Sequence, residues 1–292
     1  MQTNRQSQTA EFMAIFRVSG RAQAKGQRAI NDPLAAAMLP PRLRLLARLF
    51  RWRALATLLN AYIDFRWPGA RTSAIARTHL IDDWITEALP GVDQIVFLGA
   101  GFDTRAWRLS ALASVQVFEV DHPDTATVKQ ARLRAAAADL SRVRFVAVDF
   151  EKDDFSGALR RAGFEPTRSA IVVWEGVSQY LNARAVSDVV HWAGGLAGGS
   201  RFIFTYIHAG VLDGSVAFAG AQAAMRAVAA SGEPWQCGLK PRDLPAFLND
   251  RGLALVKDLA ADDYRAEVMG AAGRKMEGYG FYHTVLARVA HA

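Results

Sequence analysis

Between Gln94 and Ile207 the chain sets down five short apolar runs, each followed by a turn and a helical stretch. The runs are Gln94–Leu98, Val115–Val120, Val143–Val148, Ser169–Trp174 and Arg201–Ile207. The stretches after the first four, Arg105–Leu112, Asp124–Ala138, Asp153–Ala162 and Ala183–Leu196, read as helices. A strand with one wet face alternates apolar and polar residues, whereas a strand covered on both faces is apolar nearly throughout, as these runs are. Strands alternating with helices at this spacing join a parallel sheet with helices on both sides. The fold class is therefore α/β, a doubly wound and mostly parallel sheet. Two helices and two further strands, Leu253–Leu259 and Phe281–Val289, are expected in the last hundred residues.

Residues 1–90 read instead as a helical cap or lid, and residues 91–292 as the sheet domain. Asp32-Pro33 is the expected start of a short helix, with Asp32 as its N-cap, and Pro40-Pro41 its end. A long amphipathic helix is predicted over Arg42–Phe65, with Arg44, Arg48 and Arg51 on one face and Leu46, Leu49 and Phe50 on the other. Its apolar side is expected to pack on the domain, the other use of such a pattern being an anionic membrane surface. Pro68-Gly69 ends it, and a further helix runs from about Thr72 to Leu89.

The net charge of +7 arises entirely in this first part, where 13 Lys and Arg face 6 Asp and Glu; the other 202 residues hold 22 of each. With six lysines in the whole chain this is not a nucleic-acid footprint, and no nucleic-acid partner is expected. The one cysteine, Cys237, excludes an intrachain disulfide and a cysteine-based metal site, and the histidines lack ligand spacing, so no metal is expected. Met1–Phe16 lacks the pattern of a signal peptide, and no apolar run is long enough to span a bilayer. The expectation is a soluble, cytoplasmic protein.

In an open parallel sheet ligands bind beyond the carboxyl ends of the strands, so the residues that end each run carry the chemistry. The first ends in Leu98-Gly99-Ala100-Gly101-Phe102-Asp103-Thr104-Arg105. Gly99 and Gly101 permit a tight turn and a close ligand. A dinucleotide fingerprint places a third glycine where this chain has Thr104, which argues against a bound pyrophosphate. The second run ends at Asp121, twenty residues past Gly101, an acid able to accept hydrogen bonds from both hydroxyls of a ribose. The third ends in Asp149-Phe150, able to bracket an adenine, and the fourth in Glu175-Gly176. Acids at three successive strand ends make an anionic pocket, which suits a cationic sulfonium better than a pyrophosphate.

The string QIVFLGAGFDTRAWRL at Gln94–Leu109, with FEVDHP, VAVDF and WEGVSQYL after it, resembles the leucine carboxyl methyltransferase family. The style is that of its bacterial branch, which includes O-methyltransferases of polyketide pathways. The likeness covers about Arg71 to Leu196, with echoes in NDPLA at Asn31–Ala35 and GEPW at Gly232–Trp235. It implies a Rossmann-like, seven-stranded sheet with the last strand antiparallel and S-adenosyl-L-methionine (SAM) lying across the strand ends. Carried over, Gly99 abuts the cofactor, Asp121 holds the ribose, Asp149 and Phe150 line the adenine, and Glu175 lies near the methionine amino group. The family's arginine for the SAM carboxylate falls on Arg77 in Ala76-Arg77-Thr78-His79, with Arg71 as second candidate.

For the acceptor, the resemblance puts Tyr180 near the substrate, and His208, just past the fifth strand, is a candidate base. Protein-carboxylate members carry an arginine where this chain has Glu151, which disfavours a carboxylate acceptor. The expectation is methyl transfer to a hydroxyl or carboxyl oxygen of a small molecule, such as a natural product of polyketide type. The competing readings are methylation of a protein C-terminus, an NAD-dependent oxidoreductase, and a non-catalytic SAM-binding protein.

Overall fold

A computed structural model describes residues 8–20, 29–150 and 152–290. Seven strands form one sheet: β1 (Gln94–Leu98), β2 (Gln116–Asp121), β3 (Val143–Ala147), β4 (Ala170–Trp174), β5 (Arg201–Ile207), β6 (Leu253–Ala260) and β7 (Tyr282–Val289). Their spatial order is β3-β2-β1-β4-β5-β7-β6, with β7 antiparallel to both neighbours and every other pair parallel. The chain winds outward from β1 through β2 to β3, then returns to lay β4 on the other side of β1. That reversal opens a crevice between β1 and β4, the place where such sheets bind ligands.

The helices are α1 (Gln8–Ser19), α2 (Pro41–Leu49), α3 (Arg53–Arg66), α4 (Ala70–Ala88), α5 (Arg105–Arg108), α6 (Pro123–Ala135), α7 (Phe155–Arg161), α8 (Ala183–Gly194), α9 (Ala221–Ala230), α10 (Leu244–Asn249) and α11 (Ala261–Gly273). Successive strand residues point to opposite faces, and each face has its own core. Val96, Leu98, Val172 and Trp174 pack with Val186 and Val190 of α8 and with Leu244 and Leu248. Ile95, Phe97, Ile171 and Val173 pack instead with Leu80, Ile81 and Trp84 of α4 and with Tyr264 of α11. In β1, β4 and β5 both faces are dry, so those runs carry no polar alternation, whereas the edge strand β3 leaves Arg144 and Ala147 exposed.

A third core joins the N-terminal helices to the sheet domain. Ala14 and Val18 of α1, Met38, Leu39, Phe50 and Ala56 close around Phe102 of the first strand's loop and Leu133 of α6. Helix α4 belongs to the sheet's own packing, so the elements standing over the strand ends are α1 to α3.

Four expectations are corrected. Residues 33–38 form successive turns rather than a helix, although the Asp32 carboxylate does accept the Leu34 and Ala35 amides as a cap would. The predicted Arg42–Phe65 helix is two helices: Phe50 turns into the third core while Trp52 adopts an extended conformation, and α3 starts afresh. Its apolar side packs only in part: Ala47, Phe50 and Ala56 are buried in the third core, whereas Leu45, Leu46, Leu49, Leu55 and Leu58 are exposed. After the fifth strand there are three helices, not two, because Leu244–Asn249 is a short helix of its own.

Candidate active site

The loop after β1 is built for close approach. Gly99 has φ +62°, and a Cβ there would lie 2.4 Å from a Val177 methyl, so only glycine fits. Gly101 has φ +47°, and its amide donates to the Asp121 carboxylate at the tip of β2. The second Asp121 oxygen accepts from the His122 amide at 2.7 Å. Burial pushes the Asp121 carboxyl up from its ordinary value, against the lowering effect of those two amides. His122 caps α6 through Nδ1.

At the tip of β4, Glu175 receives Arg77 Nε of α4 on one oxygen and Arg105 Nη1 on the other, each at 2.8 Å. Arg105 also donates to Asp82 at 2.7 Å and to Asp103, while Arg108 grips Asp82 with both Nη groups. Burial would raise the Glu175 carboxyl, but Arg105 and Arg77 outweigh it and leave it below the usual carboxylate range. Asp103 is likewise raised by burial and lowered further by Arg105 and Arg108, ending well below its ordinary value. Arg77 spends Nε on Glu175, sets Nη2 against the Met13 sulfur at 3.5 Å, and lies 4.5 Å from the Tyr282 ring centroid. Arg71, the second candidate, pairs with Asp64 through both Nε and Nη2 and does not line the cavity.

Thr104, at the position of the missing third glycine, is fully buried and donates to Asp32 at 2.6 Å. Asp32 also accepts Arg17 Nε at 2.9 Å, and Arg17 reaches on to the Phe102 carbonyl. The NDPLA stretch is thus a buried latch between the N-terminal helices and the glycine loop.

A cavity of about 1350 Å³ runs over the strand ends. Arg77, Gly99, Gly101, Asp121, Asp149, Phe150, Glu175 and Tyr180 all line it. His208 does not: it lies beyond the cavity wall, with Nδ1 accepting the Gly210 amide at 3.0 Å and its ring against Phe218. The expectation of His208 as acceptor base is not supported by that position. The tip of β5 is covered because β7 pairs along it and Leu239 bridges His208. Glu151 lies outside the described residues.

The rest of the cavity wall was not read from the sequence. Trp67, Tyr279, Tyr282 and residues of α9 contribute to it, together with Trp235 of GEPW. The GEPW loop is tied to Tyr180 by Gln236, whose side chain donates to the Tyr180 carbonyl at 2.8 Å and whose amide donates to the Gln179 carbonyl at 2.7 Å. Tyr279 has φ +63°, a conformation costly for a bulky residue, and its ring packs tilted against Phe281, with centroids 4.9 Å apart. The one signal for it is its place between Gly278 and Gly280.

The donor set fits SAM. An acid at the tip of β2 suits a ribose diol, an arginine and a glutamate side by side suit a zwitterionic amino-acid head, and Gly99 leaves room for both. The strand order and this site define a SAM-dependent methyltransferase, with SAM as its cofactor.

Residues 10–194 match the family model described as Leucine carboxyl methyltransferase, and the chain belongs to that family. A Frankia alni protein, placed by its name among the SAM-dependent methyltransferases, is 32% identical over 271 residues, covering 90% of this chain and 92% of its own. A Mycobacterium avium protein named in the same way is 34% identical over 233 residues, covering 76% and 71%. Among solved structures, a DUF574 family protein of Streptomyces avermitilis superposes with a TM-score of 0.57 at 16% identity, covering 81% of this chain and 91% of that one. An O-methyltransferase family protein of Burkholderia thailandensis gives 0.51 at 14% identity, covering 97% and 84%. These two establish the likeness of fold alone.

Proposed function

We propose that the protein transfers a methyl group to an oxygen of a small, partly apolar acceptor, a hydroxyl or phenol in the first instance. The observation that carries this is one cavity lined both by the acidic strand tips and by a set of aromatic side chains. At about 1350 Å³ it exceeds the range of roughly 300–1,000 Å³ usual for one ligand, and so has room for cofactor and acceptor together.

SAM supplies a methyl group on a cationic sulfur; the rest falls to the chain. Asp121 would accept from the ribose hydroxyls, and Asp149 with Phe150 would line the adenine. The amides and the open surface of Gly99 and Gly101 would let the ligand lie against the backbone. Arg77 and Glu175, already adjacent, would hold the carboxylate and ammonium of the methionine part. The aromatic wall of Trp67, Tyr180, Trp235 and Tyr279 would orient the acceptor oxygen and exclude water, which is most of what an in-line transfer asks of a protein. Tyr180 is the candidate for orienting the acceptor hydroxyl.

A carboxylate acceptor is the second reading, favoured by Arg66 and Arg226 on the cavity wall. Incubation with methyl-labelled SAM and a panel of phenols, alcohols and carboxylic acids tests both. Label that survives mild base marks an ether and supports the first reading; label released as methanol marks an ester and supports the second. Transfer to protein termini only, or to nothing despite SAM binding, would overturn the small-acceptor proposal.

A further inference from the structure

The outer side of α2 and α3 presents an apolar stripe left exposed among the described residues. Leu55, Leu58, Tyr62 and Phe65 follow one another at i, i+3, i+7 and i+10, the spacing of a single helix face. Trp52 is 69% exposed, Leu58 67% and Phe65 84%, and Leu45 and Leu49 continue the stripe onto α2. Solvent-facing aromatic and leucine side chains in such a row are a docking surface rather than scatter.

The charges around the stripe say what it docks on. Residues 41–66 contain six arginines and one acid, Asp64, which is paired with Arg71. Arg44 turns inward onto the carbonyls of Leu39 and Ala37. Arg42, Arg48, Arg51 and Arg53 are exposed and, among the described residues, have no ion-pair partner. A second copy of this chain would bring arginines against arginines across a twofold interface, which opposes self-association. An anionic lipid surface instead satisfies both parts: leucines and aromatics enter the headgroup boundary while arginines meet phosphates. No helix among the described residues is long and apolar enough to cross a membrane, so the contact is peripheral.

We infer that the α2–α3 face seats the protein on an anionic bilayer surface. Tyr62 of the stripe also lines the cavity, beside Leu59, Ile63 and, on α2, Phe50, so docking brings the wall of the cavity formed by these helices to the lipid boundary. The inference does not depend on which oxygen is methylated.

Co-sedimentation of the full chain with vesicles tests it. Wild type should pellet with vesicles of one part phosphatidylglycerol to two parts phosphatidylcholine, less so as salt rises, and should stay in solution with phosphatidylcholine alone. Arg48→Glu with Arg51→Glu should lower partitioning at least tenfold, as expected for two cations near a charged surface. Trp52→Ser with Leu58→Ser and Phe65→Ser should abolish partitioning even at low salt. None of these residues lines the cavity, so unchanged SAM affinity by calorimetry verifies that each variant is folded. Wild type left in solution with the anionic vesicles would overturn the inference, as would charge-reversed protein binding as well as wild type. Light scattering that shows a dimer abolished by the same substitutions, without vesicle binding, would assign the face to a second copy instead.

Discussion

Arg77, midway along α4, meets Glu175, at the tip of β4, at 2.8 Å across 98 residues of sequence. Both groups are nearly buried, and Arg105 holds the other carboxylate oxygen. Two cations therefore share one acid at the crevice, and the acid is the member whose loss leaves the most charge uncompensated.

Glu175→Gln should lower unfolding stability by about 3 kcal/mol, the lower end of the cost of breaking a buried pair. Guanidinium unfolding followed by circular dichroism reads this directly. A loss within 0.5 kcal/mol, the range of an ordinary surface substitution, would show that the pair contributes nothing net.

The same carboxylates set an acid limit. Glu175 and Asp103 are both held below their ordinary values, so their contribution to stability is full above the unfolded carboxyl range of about 4. It is lost as pH falls below that range toward their folded values. Melting temperatures of wild type and Glu175→Gln should therefore lie furthest apart near neutral pH and converge as pH falls below about 4 toward the depressed folded value. A gap that stays constant to pH 3 would exclude ionised Glu175 as its source.

Asp121→Ala should weaken SAM binding by about 1.5–3 kcal/mol, the range for hydrogen bonds to a charged group. Because Asp121 also accepts the Gly101 amide, the variant should loosen the glycine loop as well, seen as faster amide exchange at Gly101. Arg77→Lys should recover only part of what Arg77→Ala loses, since an ammonium cannot hold Glu175 and a ligand carboxylate through one planar fork. Normal SAM affinity in Asp121→Ala, or full rescue by lysine, would refute the corresponding role.

Asp32→Ala removes the acceptor for Arg17, Thr104 and two backbone amides at once. The expected result is a loss of about 3 kcal/mol or more from a stranded buried guanidinium. Thr104→Ser keeps the hydroxyl and should be mild by comparison. Equal losses in the two variants would mean that the Thr104 methyl, not the latch, is what matters.

The sheet was legible because its physics is local. Burial on both faces forces continuous apolar runs, and β1 and β5 span Gln94–Leu98 and Arg201–Ile207 as read, while the other five strands differ by a residue or so at their ends. The acids that line the crevice were legible for a related reason: strand ends are fixed by the runs, so the places of Asp121, Asp149 and Glu175 on the cavity wall follow from counting. What depends on distant packing was not. Nothing near Phe50 announces that it will turn into a core made with Met38 and Phe102 and split the basic helix. His208 also follows a strand end, but the sequence does not reveal that β7 and Leu239 close over that end. Tyr279 and α9 reach the cavity through loops of no regular period.

The latch of Arg17, Asp32 and Thr104 makes the covering helices and the glycine loop one mechanical unit. Thermodynamic reciprocity then applies: whatever free energy a ligand on the loop lends to the ordered arrangement of α1 to α3, an acceptor settling under those helices returns to the ligand in equal measure. Cofactor and acceptor would each tighten the other's binding through a single buried aspartate, whichever of the two arrives first.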